Sequence, residues 1–347
     1  MKVKFAIVGC GHIGKKHAEL VAKHTNAELV ATIDPAFDQL EILGAKVNHF
    51  QSLDDFFKQK MEVDVLNICT PNGLHAQQAI QCLEEGYHVV IEKPIALKIQ
   101  DANAILEAAN NSGKHVFPVV QNRYSPTVKW LKRLVDENAL GSIYMIQLNC
   151  FWNRDEHYYT KGNWHGTLAL DGGPLYTQFS HFIDVLNWIF GKITNVNSKF
   201  YNFNHQSNTE FEDSGLITFE IGEGTAGTIS YSTSVFQSNF ESSITVIAEK
   251  GTVKIGGQYM NSVEYCHING RERPILDEHP IVNDYGGYKG SASNHHRVID
   301  NVVSVLNGFE KHGVSLEEGI QVVESISRIY KSRNIEKIIL EKEKPLV

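Results

Sequence analysis

The chain has 347 residues, 42% of them hydrophobic and 21% charged, which suits an ordinary globular protein with two separate cores. A net charge of -8 argues against nucleic acid as the partner but leaves room for a small anion held by a few local cations or a helix N-terminus. No stretch reaches the roughly 18 apolar residues of a membrane span, and Met1-Lys2-Val3-Lys4 enters a strand pattern at once, without a signal peptide's apolar region.

Residues 3–8, 28–33, 63–69, 88–91 and 115–120 are short continuous apolar runs, as parallel strands buried on both faces require. Helical stretches at 13–24, 74–85 and 102–111 lie between them, so residues 1–122 are expected to form an α/β domain with a doubly wound parallel sheet. The first run opens into Gly9-Cys10-Gly11-His12-Ile13-Gly14. In such a loop Gly9 permits the tight turn, Gly11 lets the backbone approach a pyrophosphate, and Gly14 lets the helix pack close to the strand. His12 and Ile13 are read with it as cofactor contacts. Asp34 ends the second run about 20 residues on, where a carboxylate meets an adenosine ribose. No arginine follows it within several residues, so NAD is favoured over NADP. The alternative is a plain strand–helix turn with a capping aspartate.

Thr70-Pro71-Asn72-Gly73-Leu74-His75 leaves the carboxyl end of the 63–69 run, the edge at which open α/β sheets bind ligands. It is equally an ordinary Pro-Asn-Gly turn, and position alone does not choose. Glu92-Lys93-Pro94 leaves the next run at the same edge. There Lys93 can donate to a substrate hydroxyl and stabilise a developing alkoxide, or be one half of a surface Glu/Lys pair before a turn proline. The Lys-Pro bond also admits a cis peptide.

The stretch 121–126 looks like the exit from this domain, followed by a helix at 127–137. Runs at 142–152, 196–204, 216–221, 226–235, 244–248 and 252–255 then carry β-branched and aromatic residues bounded by Gly, Asn and Ser. They predict an open, mostly antiparallel sheet with helices on one face, so residues 123–347 are read as a substrate-binding and oligomerisation domain. Within it, 154–164 is a long polar-aromatic loop of the kind that binds ligands, and Arg154 suits either a phosphate or carboxylate clamp or a surface salt bridge. Asp171-Gly172-Gly173-Pro174 precedes an apolar helix on which His181 and Asp184, three residues apart, share a face. A histidine held by a carboxylate suits proton transfer near neutral pH; a merely hydrogen-bonded buried histidine is the alternative. Residues 291–297 offer either a helix N-terminus to an anion or a plain cap. Helices are expected to begin near Asn294 and at Ser315, where Glu318 completes a capping-box spacing, and the charged residues 341–344 are expected to be solvated. The five cysteines are scattered without CxxC or Cys/His metal spacing and read as reduced thiols of a cytoplasmic protein without a metal site.

Glycine loop, Thr-Pro-Asn-x-x-His, Glu-Lys-Pro, Asp-Gly-Gly and His-x-x-Asp stand here in the order found in the Gfo/Idh/MocA oxidoreductases, which the chain resembles over nearly its whole length. The resemblance implies a Rossmann domain followed by an α/β domain on an open sheet that mediates dimers or tetramers. It implies that Lys93 and His181 face the substrate beside the nicotinamide and that Asn72 and Glu92 help seat NAD, with Thr70, His75 and Gln121 read as further cofactor contacts. A narrower match spans Gln121 to Arg123, Phe151 to Arg154, Tyr158-Tyr159, Trp164 to Thr167, and Asp171 to Asp184. It is similar to the branch of the family that uses NAD to oxidise the 3-hydroxyl of UDP-N-acetyl-2-amino-2-deoxyglucuronate in surface-polysaccharide (O-antigen) synthesis. On that likeness Arg154, Tyr159, Gln178 and Asn294 are expected to contact an anionic sugar nucleotide. Many family members carry an aspartate four residues before the histidine, where this chain has Thr177, so proton transfer is expected to rest on Lys93 and His181. The alternatives are a dehydrogenase of a free polyol such as inositol, an NAD-assisted glycosidase, and a non-catalytic NAD-binding regulator.

Overall fold

In the computed structural model, which describes residues 1–36, 41–42, 45–160, 164–276, 282–284 and 289–333, the apolar runs of the first third form one parallel sheet. Its strands are β1 (Val3–Val8), β2 (Ala27–Ile33), β3 (Asn48–Phe50), β4 (Val65–Ile68), β5 (His88–Ile91) and β6 (Val116–Pro118), in the order β3-β2-β1-β4-β5-β6. The strands are apolar on both faces because both faces are covered. Phe5, Val65, Val90 and Phe117 pack with Val21 of α1 (His12–Lys23), while Ala6, Leu66, Val89 and Ile91 join the cluster that takes Ala79 of α3 (His75–Glu84) and Ile105 of α4 (Ile99–Ser112). Strand order reverses between β1 and β4, and a ligand cleft opens there at the carboxyl ends. The three-residue edge strand β3 and the short α2 (Leu53–Lys58), capped by Ser52 accepting from the Asp55 amide, were too brief to show a period in the sequence.

After α5 (Pro126–Asp136), with proline in its first turn, the second sheet begins. It consists of β7 (Ile143–Phe151), β8 (Ile193–Tyr201), β9 (Ser214–Ile221), β10 (Thr225–Ser232), β11 (Glu241–Ala248), β12 (Gly251–Gly256) and β13 (Ser262–Ile268), ordered β8-β9-β10-β7-β11-β12-β13. Only β10 and β7 pair in parallel among its neighbours, so the sheet is mostly antiparallel, as expected. Strand β9 alternates cleanly: Ile217, Phe219 and Ile221 are buried, Leu216, Thr218 and Glu220 exposed. The buried face packs under α7 (Ser180–Phe190), which follows the single turn α6 (Pro174–Thr177). Strand β13 went unread in the sequence, since the polar Glu264 and His267 break its apolar pattern.

Two helices return to the first sheet. Val298, Ile299 and Val302 of α8 (His295–Leu306) pack on Phe5 and Val65, and α9 (Leu316–Lys331) starts at the expected capping box of Ser315 and Glu318. The chain therefore returns to the first half, and residues of both halves wall the cleft. Residues 341–344 and 161–163 lie outside the described residues. Among the described residues no helix is long and apolar enough to cross a membrane.

Candidate active site

The glycine loop forms because β1 must turn sharply into α1. Gly9 adopts φ +89°, open to glycine at little cost, and a Cβ on Gly14 would lie 1.8 Å from the Gly9 carbonyl oxygen. A Cβ on Gly11 would meet nothing within 4 Å, so the backbone there stands bare toward the cleft. Asp34, at the end of β2, accepts from the Cys10 amide (2.7 Å) and the Ala36 amide (2.8 Å), which ties the β2 end to the glycine loop.

These groups line one cavity of about 990 Å³ that continues from the first sheet to α6, α7 and the exit of β7. Gly9, Gly11, His12, Ile13, Asp34, Thr70, Asn72, His75, Glu92, Lys93 and Gln121 are on its wall, as are Arg154, Gln178 and His181 from the second half. Gly14 is not, in keeping with its packing role.

Lys93 is centred where the two halves meet. The Lys93–Pro94 peptide is cis, and Lys93 Nζ donates to the Thr177 carbonyl oxygen at 2.8 Å. Burial pushes its ammonium below the usual lysine range, against the opposing charges of Glu92 and Asp171 and with the help of Arg154. Glu92 is buried; its Oε1 lies 3.0 Å from His17 Nε2 and 3.7 Å from His295 Nε2, and Asn67 Nδ2 lies 3.1 Å from the other His17 nitrogen. Burial opposes the charge on Glu92, but the His17 hydrogen bond and neighbouring positive charge outweigh it and hold the carboxyl well below the usual range. His295 is pushed down to about 3 by burial, against the pull of Glu92. Among the described residues His17, Glu92 and His295 are the one group of three whose ligand atoms lie close enough for a metal, within 4.8 Å of one another. The His17–Glu92 contact satisfies the pair as a hydrogen bond without one.

His181 is buried on α7, and Gln121 Nε2 contacts its Nε2 at 3.1 Å. Burial and the Lys93 charge drive its pKa far below that of free histidine, so the ring is neutral. Among the described residues neither His181 Nδ1 nor Gln178 Oε1 has a hydrogen-bond partner, and such orphaned buried atoms on a cavity wall suit a polar ligand. Gln178 Nε2 donates to the Tyr158 hydroxyl at 3.0 Å. Arg154 is largely buried in the wall, its guanidinium over the rings of Trp152 (5.0 Å) and Tyr158 (5.1 Å), donating to Asn153 O and Asn239 Oδ1.

Several expectations need correction. Asp184 does not hold His181; it forms a two-pronged pair with Arg123 (2.9 and 2.7 Å), whose third arm reaches Glu318. Tyr159 is off the cavity wall, packed among Tyr158, His205 and Phe211, because adjacent residues of the loop point to opposite sides. Asn294 is also off the wall: it sits at the N-cap of α8 and its amide donates to Ser125 Oγ at 3.2 Å. His75 lines the cavity, but both ring nitrogens are spent, on Pro94 O (2.7 Å) and Thr70 O (2.8 Å), so it ties the two strand-end turns together. Asn72 likewise spends its amide on Asp171 O and Thr177 Oγ1. Sequence reasoning missed Tyr158, Trp164 and His165, which stack in a row along the wall at 4.2 and 3.8 Å between centroids. The sequence marks the loop as polar-aromatic, but nothing local says which of its rings face inward.

A family model for the oxidoreductase family with an NAD-binding Rossmann fold matches residues 3–119, and one for the GFO/IDH/MocA C-terminal domain matches residues 128–254. The solved structure of the WlbA dehydrogenase from Chromobacterium violaceum, in complex with NADH and UDP-GlcNAcA, is 33% identical, with a TM-score of 0.84 over 95% of this chain and 93% of that one. The WlbA dehydrogenase from Bordetella pertussis, with the same two ligands, is 31% identical, with a TM-score of 0.82 over 96% of each chain. Escherichia coli (strain K12) D-glucoside 3-dehydrogenase is 24% identical over 95% of both chains.

Proposed function

The chain belongs to the Gfo/Idh/MocA oxidoreductase family and is an NAD-dependent dehydrogenase, and from that premise we propose that it oxidises the 3-hydroxyl of UDP-N-acetyl-2-amino-2-deoxyglucuronate to a keto group. The observation that carries the chemistry is Lys93, a half-buried amine at the junction of the cofactor half and the α6–α7 half of one cavity. The anionic nucleotide sugar is supported by Arg154 on the same wall and by the likeness to two dehydrogenases solved with UDP-GlcNAcA.

The bare Gly11 backbone, Asp34 at the β2 end and the cleft at the strand reversal fit NAD, which when bound supplies the hydride acceptor. The residues of the chain do the rest. The substrate hydroxyl lies against Lys93 and His181; its proton passes to one of them as the C3 hydrogen leaves with its electron pair, and the carbonyl forms. Lys93 is suited to both states of this exchange, since burial favours its neutral form while Glu92 and Asp171 favour the ammonium that steadies an alkoxide. Gln121 orients the His181 ring, and Gln178 with Arg154 receives polar and anionic groups of the sugar nucleotide.

In this reading residues 1–122 hold the cofactor and residues 123–347 the substrate. A homodimer or homotetramer forms through the outer face of the second sheet, and the enzyme serves surface-polysaccharide synthesis in the cytoplasm, where its free cysteines stay reduced. The test is NAD reduction in a substrate panel. UDP-N-acetylglucosaminuronate should reduce NAD while inositol and free glucuronate do not. Reduction by inositol alone would replace the nucleotide sugar with a polyol, release of UDP without net reduction would indicate a glycosidase, and inertness to the whole panel would leave a regulator.

A further inference from the structure

Asp171 is fully buried, and its side chain does not line the cavity. Its Oδ2 accepts from the Gly166 amide at 2.9 Å and lies 3.7 Å from His165 Nδ1. Its Oδ1 accepts from the Thr177 hydroxyl, which also receives Asn72 Nδ2 at 2.7 Å. The carbonyl of the same Thr177 holds Lys93 Nζ. Asp171 therefore sits one residue behind the lysine's anchor, and no lysine or arginine makes an ion pair with it among the described residues.

We propose that Asp171 is a positioning residue for Lys93, acting through Thr177 to fix the amine and through its buried charge to set how readily that amine takes up a proton. A buried carboxylate is costly unless it is hydrogen-bonded and its charge is offset nearby. The amide and hydroxyl supply the first condition, and Lys93 supplies the second. The groups that bear on Lys93 come from every side: Glu92 on its own strand end, Asp171 before α6, Arg154 at the β7 exit, His181 on α7, His75 on α3 and His295 on α8. Of these only Glu92 and Asp171 are acids, and Glu92 is already engaged by His17. Asp171 is thus the one countercharge that is also tied to the amine's anchor, through the Thr177 hydroxyl.

The inference rests on Lys93 being the proton-handling group of the proposed dehydrogenation, but its test needs neither substrate nor turnover. Competitive labelling of the full-length protein with acetic anhydride across pH, with the Lys93 peptide quantified by mass spectrometry, yields a midpoint and a plateau rate for this amine. Asp171→Asn should move the midpoint down by about one unit or more, because a nearby negative charge that favours the ammonium is gone. Thr177→Val, which cuts the hydroxyl link but keeps the charge, should raise the plateau rate and leave the midpoint near wild type, and Thr177→Ser should restore the plateau. An unmoved midpoint in folded Asp171→Asn overturns the proposal, as does a Thr177→Val midpoint shifted as far as that of Asp171→Asn. If Asp171→Asn does not fold, equal plateau rates for Thr177→Val, Thr177→Ser and wild type overturn it, and a raised rate in the valine variant alone upholds it.

Discussion

Lys93 gains its place from two short-range facts, a strand end and a proline, and its chemistry from neighbours the sequence keeps far away. Replacing it by methionine keeps the bulk of the side chain and removes the amine. Turnover should fall by at least about 1,000-fold, the scale of losing both acid–base and electrostatic assistance, while NAD binding followed by fluorescence stays within a few-fold of wild type. A variant with near-normal turnover would remove Lys93 from the chemistry. The buried histidines set a second expectation. His295 is neutral in the fold, with a pKa of about 3 against an ordinary 6.5, and His181 is shifted the same way. The unfolded chain therefore binds protons that the fold refuses below about pH 6.5, and stability is present above that value and drains away as pH falls toward the folded pKa. In urea melts at several pH values, His295→Asn should flatten this decline by about 1.4 kcal/mol per pH unit. Parallel slopes for variant and wild type would mean that His295 is not held neutral.

At the level of elements, the strand–turn–helix of the glycine loop and the turn carrying Lys93 were legible because each signal is local: a glycine spacing at the end of an apolar run, or a lysine two residues past one. The partner of Asp184 was not. Spacing along α7 suggests His181, yet the carboxylate pairs with Arg123, 61 residues earlier, in the short turn Gln121–Tyr124 after β6. That pair joins the first sheet's exit to α7, and Glu318 of α9 extends it to a third element. Breaking a buried pair on one side leaves an uncompensated charge, so Asp184→Ala should cost about 3–5 kcal/mol of unfolding free energy by urea melt. A loss below about 1 kcal/mol, the range of exposed pairs, would contradict the structural role assigned to it. The facing of loop residues was illegible for the same reason: Tyr158 and Tyr159 are neighbours of one chemical type, and only the tertiary wall decides which one looks into the cavity.

Over the whole molecule, two sheets of different texture meet at one cleft, and α8 and α9 return from the second half to pack on the first. The second sheet shields one face with helices and leaves Met145, Leu216, Ile247 and Tyr265 about half exposed on the other, with Met145 and Ile247 directly opposed on β7 and β11. This is the face through which the proposed assembly of copies would form. Ile247→Glu should lower the mass measured by light scattering toward the 39.0 kDa of one chain, and an unchanged assembly would place the interface elsewhere. In the proposed reaction this cleft moves a hydrogen with its electron pair from C3 of an anionic nucleotide sugar. Its most direct test is UDP-N-acetylglucosaminuronate carrying deuterium at C3, incubated with the enzyme and NAD, with the nicotinamide product analysed by mass spectrometry. We expect reduced nicotinamide one mass unit heavier and a 3-keto sugar that has lost the label; reduced nicotinamide without deuterium, or a sugar that keeps it, would rule this transfer out.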